Sequence, residues 1–185
     1  MKIGGVQKSL CNLLWSILDQ YDVTLFLFSP VGEYMDDIPK QVHIISCGSL
    51  FRCLGTSQKE CSHNLGRYFL RGVFAVICKL FGRKAVMPLL LRSQKKLTTH
   101  YDCAISYLQN GDPHHFYGGV NEFVLHKVDA ERKIAFLHCD YMQCGANCEA
   151  NNADYKKFDL IAACSDGCRD SFIRALPELS KKCRT

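Results

Sequence analysis

Three short apolar stretches in the second half of the chain constrain its fold most. Cys103-Ala104-Ile105-Ser106-Tyr107, Lys133-Ile134-Ala135-Phe136-Leu137-His138 and Asp159-Leu160-Ile161-Ala162-Ala163-Cys164 each have the length and apolar run of a buried strand. Between the last two, Asn152 to Phe158 can form a short helix. After the last, Ser165 can cap a helix with apolar positions at Cys168, Phe172, Ile173 and Leu176, and Pro177 stops it. Strands alternating with helices predict an α/β, Rossmann-like, doubly wound and mostly parallel sheet with helices on both faces.

The first half fits the same plan. Val6, Leu10, Leu13, Leu14, Ile17 and Leu18 recur at helical spacing behind Gly4 and Gly5. Asp22 to Phe28 is β-branched and aromatic, bounded by Pro30 and Gly32, and reads as a buried parallel strand. Val42-His43-Ile44-Ile45 reads as another. Leu65, Phe69, Val73, Val76, Ile77 and Leu80 again have helical spacing, with Arg67, Arg71 and Lys79 largely elsewhere on the helix and Gly82 ending it. A second helix is expected from about Pro88 to Leu97. No repeat or low-complexity tract interrupts residues 1–185, which read as one domain.

Charge is uneven. The net charge is +5, yet Cys61 to Tyr101 holds eight basic residues (Arg67, Arg71, Lys79, Arg83, Lys84, Arg92, Lys95, Lys96) and no Asp or Glu. That concentration argues for a local anionic partner rather than a nucleic-acid-binding surface. A Lys/Arg-rich amphipathic helix suits an anionic membrane face, here residues 65–97, and a solvated surface helix is the alternative. No apolar run approaches the length that spans a bilayer, and the first residues lack the apolar core of a secretory signal. The twelve cysteines sit mostly in apolar segments and read as reduced core thiols of a cytoplasmic protein. Cys139, Cys144, Cys148, Cys164 and Cys168 have partly zinc-like spacing, but packing is the favoured reading.

The ordered set of segments resembles the N-terminal domain of family 4 glycosyltransferases with the GT-B fold. It is carried by Gly4-Gly5-Val6-Gln7-Lys8-Ser9-Leu10, Tyr21-Asp22-Val23-Thr24-Leu25, Tyr101 to Tyr107, Lys133 to His138, Phe158 to Ser165, Cys168-Arg169-Asp170-Ser171-Phe172 and Pro177-Glu178-Leu179. The resemblance covers nearly the whole chain. It implies one half of a GT-B fold, with the family's first strand and its C-terminal donor-binding domain outside these residues. It also implies a UDP- or GDP-sugar donor, a saccharide or lipid-linked acceptor, no bound cofactor and no metal requirement. The family's second domain, or a partner chain, would supply most donor contacts. Alternatives are a non-catalytic acceptor- or membrane-binding subunit of a two-chain sugar transferase, and a non-functional fragment.

Site residues follow in part from the resemblance and in part from position. The family's glycine loop places Gly4 and Gly5 near the donor phosphates, where a helix N-terminus favours an anion. The resemblance implies that His138, at a strand's carboxyl end, reaches the donor sugar and acts in catalysis. Asn110, Asp112, Asp140 and Tyr141 lie in strand-end loops and are expected to line the acceptor cleft. His114 and His115 share the first of these loops. Ser165 reads chiefly as a helix cap.

Overall fold

A computed structural model describes residues 4–62 and 64–185; the opening Met1-Lys2-Ile3 and His63 lie outside them. In chain order, helix α1 (Gly5–Ile17) leads to strand β1 (Thr24–Leu27) and strand β2 (His43–Ser46). Helices α2 (Ser49–Gly55), α3 (Gln58–Cys61), α4 (Leu65–Phe81) and α5 (Met87–Ser93) follow. Strand β3 (His100–Ser106), α6 (Val120–Lys127), β4 (Asp129–Leu137), α7 (Glu149–Tyr155), β5 (Leu160–Ala163), α8 (Asp166–Ala175) and β6 (Cys183–Arg184) complete the chain. The architecture is the expected α/β one: parallel sheets with helices around them, in a Rossmann-like arrangement.

The ladder comes in two parts. β1 pairs with β2 in parallel, Thr24 opposite His43. β3, β4, β5 and β6 form a second parallel sheet in chain order. Among the described residues no ladder joins β1 to β3, so side chains tie the two parts together. β1 alternates as a strand must. Leu25 and Leu27 pack on a small cluster with Cys11 and Leu14 of α1. Phe26 and Phe28 turn to the main core, where Phe26 stacks on Phe123 of α6 at 4.2 Å. Phe123 also meets Phe28 and Phe51 edge-on. β1 is half-buried throughout, where a buried strand was expected.

Local signals account for most boundaries. Ser57 and Glu60 form a reciprocal capping box at α3. Asn64 caps α4 by accepting from Arg67 N at 2.9 Å. Gly82 ends α4 at φ 78°, a conformation that favours glycine. Ser165 caps α8 through Cys168 N, as expected. The α7 helix begins at Glu149, earlier than the expected Asn152, and α5 ends at Ser93, short of Leu97.

α4 is apolar on two sides. Phe74 and Cys78 are buried, with Leu70 and Ile77 packed beside them. Leu65, Phe69, Val73, Val76 and Leu80 follow the helical spacing but face outward; Phe69 is 73% and Leu80 65% exposed. At 3.6 residues per turn these five positions lie opposite Phe74.

A buried arginine fixes the corner after α4. Arg83 is 2% exposed. Its Nε donates to Glu122 Oε1 at 3.2 Å, its Nη1 to the Tyr117 carbonyl at 3.1 Å and its Nη2 to Asn151 Oδ1 at 2.9 Å. Asn110 Nδ2 donates to the other Glu122 oxygen at 2.8 Å, and Asn110 Oδ1 accepts from Gly119 N at 2.9 Å. Asn151 Nδ2 donates to the Gly111 and Ala146 carbonyls. Arg83 therefore cannot belong to the free basic surface that the sequence suggests.

A buried charge left without its partner is strongly destabilising. Glu122→Ala is expected to cost about 3–5 kcal/mol in urea denaturation, the range for breaking a buried pair. A cost under about 1 kcal/mol, the worth of an exposed pair, would show that Arg83 finds water instead.

Candidate functional site

The carboxyl ends of β3, β4 and β5 carry the residues singled out in the sequence. After β3 comes Tyr107, then Gln109 to Asp112. After β4 come His138 to Tyr141, and after β5 come Cys164 and Ser165. In open parallel sheets this is the edge where ligands bind.

His138 and the start of α1 meet through Tyr107. His138 Nε2 lies 2.5 Å from the Tyr107 carbonyl oxygen. A carbonyl only accepts, so Nε2 carries the proton and Nδ1 is the ring's acceptor when neutral. The Tyr107 hydroxyl is 2.8 Å from Ser9 Oγ, in the second turn of α1. The rings of Tyr107 and His138 are 4.8 Å apart, and Phe136 stacks on His138. Burial holds the His138 ring below its ordinary pKa of 6.5, and the bond to Tyr107 offsets part of that effect.

α1 begins without a side-chain cap. Gly4 is its N-cap in extended backbone, and no acidic residue occupies the first turn. Among the described residues no side chain caps its first N–H groups, the kind of donors that favour an anion. A side chain at Gly4 would press on Gln7, whereas the space beside Gly5 is open.

The four expected acceptor residues divide into two kinds. Asn110 is fully buried and spends its amide on Glu122 and Gly119. Tyr141 is also fully buried, its ring among Tyr155 and Phe172 and its hydroxyl donating to Asn152 Oδ1 at 2.6 Å. Neither presents a group to a cleft; both hold the loops together. Asp112 and Asp140 are half-buried. Asp112 Oδ1 accepts from His114 N. Asp140 Oδ1 accepts from Ser171 Oγ at 2.5 Å and from Met142 N and Gln143 N. The Ser171 hydroxyl, those backbone N–H groups and the Arg174 charge keep the Asp140 carboxyl below the usual carboxylate range.

Gln109 is a site-building residue that the sequence did not reveal. Its Oε1 accepts from both His138 N and Cys139 N, and its Nε2 donates to Cys144 Sγ. It joins the loop after β3 to the loop after β4. A polar residue three places beyond a strand carries no sequence signal of such a role. Ser171, fully buried on α8, is a second.

Six of the twelve cysteines are buried, matching core thiols: Cys11, Cys47, Cys53, Cys61, Cys78 and Cys183. Cys164 is exposed, not packed, with its sulfur 3.5 Å from that of Cys168. His114 and His115 are exposed. Among the described residues no three His, Cys, Asp or Glu side chains converge as a metal-ligand set.

A ring held below its ordinary pKa resists protonation in the folded protein. The unfolded chain then binds the extra proton first, so stability falls as pH drops from about 6.5 through the folded value. Histidine NMR should place the His138 midpoint below 6.5, and His138→Gln should reduce acid destabilisation in that window. A midpoint above 6.5 would mean that the ring is solvated or paired with a carboxylate. Set beside models of known protein families and beside curated proteins, the chain matches none.

Proposed function

We propose that the chain is the acceptor-side half of a nucleotide-sugar-dependent glycosyltransferase, acting on a polysaccharide or lipid-linked acceptor together with a donor-binding half. The supporting observation is the junction of uncapped α1, Tyr107 and His138 at the carboxyl edge of parallel strands. The N-terminus of α1 offers N–H groups and a positive dipole end to a donor diphosphate. A neutral His138 has an acceptor nitrogen for a sugar hydroxyl and lies beside two aromatic rings. Asp140, held ionised, and Asp112 are the acidic groups available to polar acceptor hydroxyls.

In this proposal the acceptor hydroxyl attacks the anomeric carbon while the nucleoside diphosphate departs. The donor half would supply most nucleotide contacts. This half positions the acceptor and favours the departing negative charge. In the native gene product, His138→Ala is expected to slow transfer from a UDP- or GDP-sugar about tenfold or more with the fold intact by circular dichroism. An unchanged rate removes His138 from the site.

A second reading, a non-catalytic membrane-binding subunit, has its own support in α4. Its outward Leu65, Phe69, Val73, Val76 and Leu80 lie in a stretch with no acidic residue, beside the exposed Lys79 and Lys84. Such a face suits the headgroup region of an anionic membrane. Among the described residues no helix is long and apolar enough to cross one. The chain is expected to sediment with vesicles containing phosphatidylglycerol and not with purely zwitterionic ones. Phe69→Asp should abolish that binding; equal binding by the variant would assign the attraction to charge elsewhere.

A further inference from the structure

A cavity lies away from His138, beyond the end of β1. It has a volume of about 370 Å³, and its wall includes Ser29, Arg52, Thr56, Lys59, Glu60 and Arg67. These residues come from five places: the segment after β1, helix α2, the link after it, helix α3 and the first turn of α4. Three cations face one carboxylate. That carboxylate is engaged locally, since Glu60 Oε2 accepts from Ser57 N at 2.6 Å in the capping box. The wall is therefore electropositive.

Among the described residues, two polar atoms of wall residues are buried without a hydrogen-bond partner: Ser29 Oγ and Arg52 Nε. Buried polar atoms are nearly always paired, and a specific exception calls for a cause. Arginine Nε can only donate, so what it lacks is an acceptor. A serine hydroxyl can donate to the same acceptor. The Thr56 hydroxyl donates to the Arg52 carbonyl at 3.0 Å, and its oxygen accepts from neither of these atoms. The missing group is thus rich in acceptors and carries negative charge. Guanidinium groups match the geometry of tetrahedral oxyanions, and two of the three cations are arginines.

We propose that this cavity binds a phosphate monoester, with Arg52, Arg67 and Lys59 neutralising the phosphate and Ser29 donating to it. The site does not depend on sugar transfer, and a chain with no transferase activity would still hold it. Two sources offer this chemistry: a soluble phosphorylated metabolite, or the phosphate of a lipid. Arg67 stands in the first turn of α4 and is half-buried, so either could approach.

The test is a titration of the whole chain with inorganic phosphate, followed by thermal unfolding, with sodium chloride at matched ionic strength as control. A ligand bound only by the folded state raises its melting temperature in a saturable way. The expected result is a saturable rise with phosphate and none with chloride. Arg52→Gln should weaken binding about tenfold, as for loss of a charged hydrogen bond. The exposed Lys59→Gln, which leaves the interior untouched, should weaken it ~3-fold. A response to a soluble hexose phosphate identifies the soluble source. Binding to phosphatidic acid vesicles that Arg52→Gln abolishes, with phosphatidylglycerol binding the same in both proteins, identifies a lipid phosphate. No response to phosphate in any form, or an equal response in both variants, overturns the proposal. So does phosphatidic acid binding that Arg52→Gln leaves unchanged.

Discussion

One buried positive charge dictates how the carboxyl edge of the larger sheet is built. Arg83 has lost its water, and an unpaired guanidinium in that position would cost more than most single contacts return. Its partners come from Tyr117, Glu122 and Asn151, and Glu122 in turn engages Asn110. The corner after α4, the loop after β3, the start of α6 and the start of α7 are therefore satisfied together or not at all. Arg83 N adds a backbone bond to Pro113 O at 2.6 Å. A loop of more than ten residues gains a fixed course without secondary structure of its own.

The same constraint sorts the polar residues of that edge. Asn110 and Tyr141 are spent inside, where they carry the loops. His138, Asp112 and Asp140 sit further out with part of their hydrogen-bonding capacity left. Gln109 links the two loops behind them. The candidate site is a partly exposed face on a rigid backing, which is how a protein positions a substrate without moving much at the moment of reaction. The smaller sheet is held differently, by the Phe26–Phe123 stack and its neighbours rather than by a ladder.

The strands and helices near the sheet were legible because each has a strong local signature. Apolar runs gave β3, β4 and β5, Ser165 and Pro177 bracketed α8, and Gly82 closed α4. α2, α3 and α6 escaped notice because their few residues show no long period, and α3 depends on the capping box of Ser57 and Glu60. The site was legible only as a location. Sequence placed Asn110 and His138 in strand-end loops with equal ease, but burial separates them, and burial depends on Arg83, which reads in sequence as one more cation in a basic run. The outward turn of the α4 stripe was likewise hidden. Spacing shows that Leu65, Phe69, Val73, Val76 and Leu80 share a face, not whether another element covers it. Transfer chemistry remains a proposal resting on the junction at Tyr107 and on the resemblance.

Buried polar groups lock the loop after β3. Amide hydrogen exchange at Gly119 reports on that lock, because its N–H is held by Asn110 Oδ1 rather than by any helix or strand. Gly119 is expected to exchange as slowly as the amides in the middle of β4, opening only with the whole domain. Exchange at the rate of a solvated loop would show that the Arg83 network does not fix this edge, and the preorganised site would go with it.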